Sequence, residues 1–472
     1  MKVLYVTSEA VPFVKTGGLA DVTGTLPVAM ERYMEKTWVI MPRYANIDAY
    51  FSDSMTHVCD FFVQLGWRNQ YCGIDVLEHN GVEFLFVDNK YYFGRDYIYG
   101  SMCMDECERF SFFNTAVAEA IRVLDISPDI VHCNDWQCGM VPYLLKKKYK
   151  KPPRTAYTIH NIHYQGIFPW EWVNDFLSIP EWDSYSMRRG GNISFMQAGI
   201  VHADAVSTVS PTYAKEIMSC EIGEGLQDVL SAKRPPVYGI LNGLDCAMFS
   251  PHNDIHIEHH YSDYAMEGKE LCKSSLQYEL WLENAPNTPL LSIVSRLTEQ
   301  KGLKLIENTW EKLMECGVQL AVIGTGDKHF EDFFRWLSSR MGGRVAARIE
   351  YNERMSRRIY AGSDIFLMPS RTEPCGLAQM IALRYGTVPV VHETGGLRDT
   401  VVPYNKYTGE GSGFSFFDYN EEQFLGAVYR ALECYHDKCA WEKLRLQGMR
   451  QNFSWEASAL RYHEMYSDIL NQ

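Results

Sequence analysis

Short apolar runs alternate with helix-like stretches along almost the whole chain. Val3-Leu4-Tyr5-Val6, Val39-Ile40-Met41-Pro42, Phe84-Leu85-Phe86-Val87, Ile130-Val131-His132, Ala156-Tyr157-Thr158-Ile159 and Ala205-Val206-Ser207-Thr208-Val209 read as strands. Val237-Tyr238-Gly239-Ile240-Leu241 closes this series and leads into the turn Asn242-Gly243. A polar, His-rich segment follows, His252 to Tyr264, with no clear periodicity. It predicts a long exposed loop and a boundary near residue 245. The alternation then restarts with Leu290–Val294, Leu320–Ile323, Arg348–Tyr351, Ile365–Met368 and Val388–Val391 as strands, and helical segments such as Lys304 to Cys316 between them. Trp455 to Leu470 has apolar residues at helical spacing. Strands alternating with helices imply parallel sheets covered on both faces. The fold class is therefore α/β, with two facing, Rossmann-like, doubly wound parallel-sheet domains and an interdomain cleft. The expected domains are 1–245, 246–455 and a helix, 456–472, that crosses back to the first. A ligand belongs where the carboxyl ends of the strands meet.

The chain of 472 residues is long enough for two or three domains. Its 46% hydrophobic and 22% charged content is that of an ordinary soluble enzyme. A net charge of −14 without a basic stripe excludes a nucleic-acid surface, and Lys146 to Lys151 reads as a solvated helix end. No apolar run approaches the roughly 18 residues of a membrane span. Met1 to Glu9 reads as a first strand and loop rather than a signal peptide. The thirteen cysteines are an odd number without zinc-type pairing, so reduced thiols and a cytoplasmic location are expected. Cys103/Cys107 and Cys133/Cys138 lack a matching His/Cys pair, and His252, His256, His259 and His260 fit an exposed connecting loop. Neither a metal site nor a cofactor is expected.

One hexapeptide occurs twice. Thr16-Gly17-Gly18-Leu19-Ala20-Asp21 returns as Thr394-Gly395-Gly396-Leu397-Arg398-Asp399, each copy after a strand-like run and before a possible helix start. Glycine pairs let the backbone approach a ligand, and a helix N-terminus offers free N–H groups and partial positive charge. Two such turns, with Lys15 beside the first, suggest one anion held by both halves. Other polar clusters also follow strands: Asn134-Asp135-Trp136, His160-Asn161, Asn242, Ser295 to Gly302, and Ser370 to Leu377. Arg296 and Lys301 lie across one strand-to-helix turn, where both can reach a diphosphate or remain solvated charges. Asp135 and Glu373 are carboxylates for sugar hydroxyls or a developing cation, or else N-caps. His160 is a ligand or a core histidine. Gly324-Thr325-Gly326 resembles a dinucleotide fingerprint but has His329 where the third glycine belongs, so that motif fails.

Lys15-Thr16-Gly17-Gly18-Leu19-Ala20-Asp21-Val22, Ser295-Arg296-Leu297 through Lys301-Gly302, Glu373-Pro374-Cys375-Gly376-Leu377 and Phe453-Ser454-Trp455 resemble, in order, bacterial glycogen synthase and plant starch synthase. The resemblance implies a retaining glycosyltransferase with two Rossmann domains (the GT-B fold). Such an enzyme moves glucose from ADP-glucose to the non-reducing end of an α-1,4-glucan, in glycogen synthesis and without a metal. It also implies the roles. Lys15, Gly17 and Gly18 meet the diphosphate and reacting sugar, with Asp21 in the same motif. Arg296 and Lys301 neutralise the leaving diphosphate. Asp135, His160 and Asn242 line the donor glucose and the acceptor side, with Asn161 next to His160. Glu373 is the motif carboxylate, and the backbone of Cys375, Gly376 and Leu377 holds the sugar. Tyr351 stacks on the base, and Thr394-Gly395 forms the second phosphate-facing turn.

Four positions, in three motifs, depart from the family pattern. Asn134 and Gln137 replace histidines around Asp135-Trp136, Thr372 replaces an aromatic or aliphatic residue before Glu373, and Asn352 replaces the histidine of Tyr-His-Glu. A sucrose-type transferase would share the Arg/Lys pair and Glu373, but not the Lys15–Val22 opening; a UDP-glucose-using transferase stays open as an alternative. A non-catalytic glucan-binding homologue would not need the intact Arg296 and Lys301. A nicotinamide oxidoreductase would need the glycine fingerprint that fails.

Overall fold

The computed structural model describes residues 1–472 except the side chain of Asp48. The chain divides into two units, Met1–Gly243 together with Trp455–Gln472, and Leu244–Ser454.

The first unit is built on a nine-stranded sheet. Its order is Tyr238–Gly239, Ala205–Thr208, Arg154–Ile159, Ile130–Asn134, Lys2–Val6, Lys36–Pro42, Val82–Asp88, Arg68–His79, Thr56–Leu65. The strands from Tyr238–Gly239 to Val82–Asp88 run parallel. Arg68–His79 is antiparallel to both its neighbours, so the sheet is mixed at one edge, a departure from the all-parallel expectation. Phe62, Tyr71 and Trp67 of this hairpin are exposed. A strand with one wet face alternates polar and apolar residues instead of running apolar, so the search for apolar runs passes over it. The order reverses between Lys2–Val6 and Ile130–Asn134, and the loops after these strands carry Thr7 to Gly18 and Asp135.

The helix Trp455–Leu470 packs on this unit. Tyr466 OH lies 2.6 Å from His132 Nδ1 and donates to Tyr5 OH at 3.1 Å. Ser458 Oγ donates to Leu241 O at 2.6 Å. His132 Nε2 lies 2.6 Å from Thr158 Oγ1, so both ring nitrogens are used inside the core.

The second unit has a six-stranded, wholly parallel sheet. Its order is Val345–Arg348, Gln319–Ile323, Leu290–Val294, Ile365–Met368, Val388–His392, Phe414–Phe416. Counted along this unit the order is 3-2-1-4-5-6, that of a dinucleotide-binding sheet, and the reversal falls between Leu290–Val294 and Ile365–Met368. Successive side chains feed opposite faces. Leu320 and Val322 join the cluster of Leu303, Ile306, Leu313 and Val428. Ala321 and Ile323 join that of Leu276, Met355 and Ile359. Two apolar layers thus clamp the sheet and fix the strand ends from which the site loops emerge.

The His-rich segment is a loop with His252 and His260 exposed, but it is anchored in a way its polarity does not predict. Asp254, Ile257 and Tyr261 are buried. Asp254 accepts from Tyr385 OH and pairs with Arg357, which stacks over Phe249 at 3.9 Å. Tyr261 OH donates to Tyr385 O at 2.9 Å, and Arg358 Nε to His256 O at 3.0 Å. The histidines mislead because the anchoring residues, Asp254 and Tyr261, are scattered among them. No group of three or more His, Cys, Asp or Glu with metal-site geometry occurs among the described residues. Among them, no helix is long and apolar enough to cross a membrane.

Candidate functional site

In the first unit the site forms at the strand-order reversal. Gly17 precedes the helix Gly18–Met30, and at Gly17 and Gly18 an added Cβ would meet nothing within 4 Å. The turn is open on the side where a ligand would approach. Lys15 Nζ pairs with Asp21 Oδ1 at 2.7 Å while remaining partly exposed, so the ammonium stays close to the turn.

Asp135 stands just past Ile130–Asn134 with φ 55° and ψ −177°. This region is costly for any residue but glycine, about 1–3 kcal/mol, and such strain clusters at functional sites. Its Oδ1 accepts the backbone N–H of His160 at 2.7 Å and of Asn161 at 3.4 Å. The side chain does not cap the following short helix. Burial pushes the carboxyl up to about 7, the His160 and Asn161 amides pull it back, and the charge of Glu9 adds to the rise. His160 Nε2 lies 2.9 Å from Asn134 Oδ1, and Asn134 Nδ2 donates to Val6 O at 3.1 Å. Asn134 Oδ1 can only accept, so Nε2 carries the proton. Burial pushes the imidazole down to about 3, which keeps it neutral. Asn134, a departure from the family histidine, is therefore the residue that orients His160. Asn242 is buried and, among the described residues, its Oδ1 has no hydrogen-bond partner, an unmet acceptor of the kind a substrate hydroxyl satisfies.

In the second unit, Lys301 Nζ donates to Glu373 Oε2 at 2.6 Å and Ser370 Oγ to the same oxygen at 3.0 Å. Glu373 is buried, Lys301 half-buried and Arg296 exposed. The loops carrying them follow the two central strands on either side of the reversal. Gly302, with φ 75°, lets the 301–303 turn pass so close to Pro369 that a Cβ would sit 1.8 Å from its carbonyl oxygen. This contact brings Lys301 to Glu373. Gln379 Nε2 donates to Cys375 O at 3.1 Å and to Gly376 O at 2.9 Å, fixing the Cys375–Leu377 bend. Tyr351 is 80% exposed, a ring with an open face. Asn352 Oδ1 accepts from Met355 N at 3.0 Å and so caps the helix Glu353–Gly362.

The two glycine turns are not alike. A Cβ on Gly395, at φ 44°, would lie 2.0 Å from Glu373 O, and one on Gly396 would lie 2.0 Å from Cys375 O. The second pair is glycine because the Thr394–Leu397 turn packs directly on the Glu373–Cys375 backbone, with Gly396 N donating to Glu373 O at 3.1 Å. Gly395→Ala should therefore cost about 1–3 kcal/mol of stability. Gly18→Ala should leave the melting temperature unchanged or raised and still reduce turnover. Melting curves and rates for the pair check this; equal stability of the two variants would contradict it.

The structure joins some of the expected residues: Lys15 to Asp21 beside Gly17 and Gly18, and Asp135 to His160 and Asn161, in the first unit; Lys301 to Glu373, and the Thr394–Gly395 turn to the Glu373–Leu377 segment, in the second. Asn242, Arg296 and Tyr351 are placed by their own loops. Glu9 is a supporting residue that sequence reasoning missed, although it lies just past a strand end; Asn134 and Ser370 stood in the polar clusters after strands, but without the supporting roles they have here.

The model of the starch synthase catalytic domain matches residues 2–232, and that of glycosyl transferases group 1 matches residues 282–445. A glycogen synthase of Clostridium novyi is 45% identical over 480 aligned residues that span 100% of both chains. The chain belongs to the glycogen and starch synthase family. Another member, the glycogen synthase of Bacillus licheniformis, is 46% identical over 99% of this chain and 98% of its own. The catalytic domain of starch synthase IV from Arabidopsis thaliana, solved with ADP and acarbose, matches with a TM-score of 0.92 and 30% identity over 100% of this chain and 99% of that one. As a member of this family the chain is a glycosyltransferase with α/β parallel-sheet architecture.

Proposed function

We propose that the chain transfers glucose from ADP-glucose to the non-reducing end of an α-1,4-glucan with retention of configuration. The observation that carries this reading is the Lys301–Glu373 pair, held by Ser370 at the strand-order reversal of the second unit. The binding of ADP by the plant relative supports the choice of nucleotide. Leaving-group chemistry needs preorganised positive charge. Arg296 and Lys301 supply it, Glu373 aims Lys301, and Lys15 with the amides of the Gly17-Gly18 turn adds to it. Tyr351 offers its ring to the adenine, and the Thr394-Gly395 turn faces the phosphates. Asp135, through Oδ2, His160 and Asn242 take hydroxyls of the donor glucose and the acceptor. The bond from the anomeric carbon to the diphosphate oxygen breaks as the acceptor hydroxyl oxygen attacks the same face. The acceptor proton passes to the departing diphosphate, which balances the step and preserves configuration.

Purified protein given glycogen and either ADP-glucose or UDP-glucose tests the reading by nucleotide release. ADP release should dominate. Faster release from UDP-glucose overturns the donor, and no release from either overturns the reaction.

A further inference from the structure

Glu9 lies three residues beyond the strand Lys2–Val6 and is 2% exposed. Its Oε2 accepts the Thr16 backbone N–H at 2.5 Å and Thr16 Oγ1 at 2.9 Å. The Tyr99 hydroxyl faces the carboxylate and lies 2.7 Å from Ser8 Oγ. The Glu9 backbone is pinned as well, since its carbonyl accepts Thr7 Oγ1 at 2.8 Å and Thr23 Oγ1 at 2.5 Å. A buried carboxylate is an expensive way to close a loop, because it must be desolvated and then supplied with donors. Here the donors converge on one residue, Thr16, next to the Gly17-Gly18 pair whose outer side is open.

We propose that Glu9 is a positioning residue for donor binding: acting through Thr16, it holds the Lys15–Gly18 turn in the place from which its amides and the Lys15 ammonium reach a nucleotide diphosphate. This rests on the reading of the chain as an ADP-glucose transferase. Glu9 does not touch the substrate. It is a strut whose two bonds to Thr16 fix both the backbone and the side chain of the turn.

The strut has an electrostatic consequence, because its charge lies close enough to Asp135 to oppose the ionisation of that group. Tyr44, Tyr99, Tyr157, Tyr213 and Cys138 also face this region, and burial pushes all of them up, so they are neutral at working pH. Asp21 is paired with Lys15, and His160 is neutral. Burial pushes the Glu9 carboxyl up as well, and the Thr16 donors pull it back; in its ionised form Glu9 is the charged neighbour that Asp135 responds to.

Four proteins test this: the wild type, Glu9→Leu, Glu9→Gln and Thr16→Val. Glu9→Leu should raise KM for ADP-glucose about tenfold, the usual worth of a charge-assisted anchor, with a smaller change in kcat and none in KM for glycogen. Thr16→Val should move KM in the same direction by less. Glu9→Gln keeps an acceptor for Thr16 and should recover most of the KM, while the acid limb of kcat/KM shifts to lower pH. A residue that only stabilises the fold would lower the melting temperature and leave KM and the pH limb in place, which would overturn the proposal. If Glu9→Leu does not fold, the other two variants decide. A wild type that transfers nothing from ADP-glucose would sink the reaction assignment alone. The strut would then be read from ADP binding by calorimetry, weaker in Thr16→Val than in the wild type. Equal binding would overturn it, and a wild type that binds no ADP would overturn both.

Discussion

Arg296→Ala and Lys301→Ala are each expected to lower kcat by about 10²–10³, the cost of removing one preorganised donor aimed at developing charge. The two variants should differ in stability, which separates chemistry from folding. Arg296 is exposed, so its loss should shift stability by no more than about 0.5 kcal/mol. Lys301 is the cation on a buried carboxylate, and its removal leaves Glu373 with the Ser370 hydroxyl. That variant should melt lower, and Lys301→Ala combined with Glu373→Gln should regain stability without regaining activity, since the leftover charge is gone. Nucleotide release and thermal melting on the four proteins check this. Near-wild-type turnover in both single variants would remove Arg296 and Lys301 from the leaving-group role.

Asp135→Asn should cut turnover by about 10² and stabilise the protein at neutral pH. The carboxyl titrates near 3.8 in the unfolded chain and at about 7 in the folded one. Between these values the folded state holds a proton that the unfolded state has released. The contribution of this group to stability therefore falls as pH rises from about 4 to about 7, and is flat above. Asparagine still accepts from the His160 and Asn161 amides and has no charge to bury. The variant should melt above the wild type beyond pH 7, with the gap closing toward pH 4. A gap that widens on acidification would mean that Asp135 is ionised at a lower pH than its surroundings dictate. In the wild type, kcat/KM should rise through about pH 7, and the variant should lack that limb.

Most parallel strands were legible because a strand covered on both faces must be nearly continuously apolar; Val3–Val6 and Ile365–Met368 need no context to be recognised. The strand expected at Arg348–Tyr351 lies instead at Val345–Arg348, and the three-residue strand Phe414–Phe416 was too short to stand out. The hairpin Thr56–His79 was not, because its wet face interrupts the apolar pattern. The anchoring of the His-rich loop was not legible for a related reason: Asp254 and Tyr261 tie it to Tyr385, more than a hundred positions away, and no local pattern encodes a partner that distant. For the site, position after a strand located Asp135, His160, Lys301 and Glu373. It gave no hint that His160 leans on Asn134 or that Glu373 receives Ser370. The repeated Thr-Gly-Gly-Leu looked like one device used twice. Only the distances from Gly395 and Gly396 to the Glu373 and Cys375 carbonyls distinguish a packing requirement from an open turn.

The helix Trp455–Leu470 has a bearing on how the chain is made. Tyr466 joins His132 and Tyr5, so the sheet that carries Asp135 completes its interior with residues translated after the whole of Leu244–Ser454. On the ribosome, the part that begins first must wait, with that patch uncovered, while the second part emerges and can close its own six-stranded sheet. Order of synthesis and order of folding are then reversed, and a nascent polypeptide cut short before residue 455 would expose His132, Tyr5 and Thr158 to chaperones and proteases.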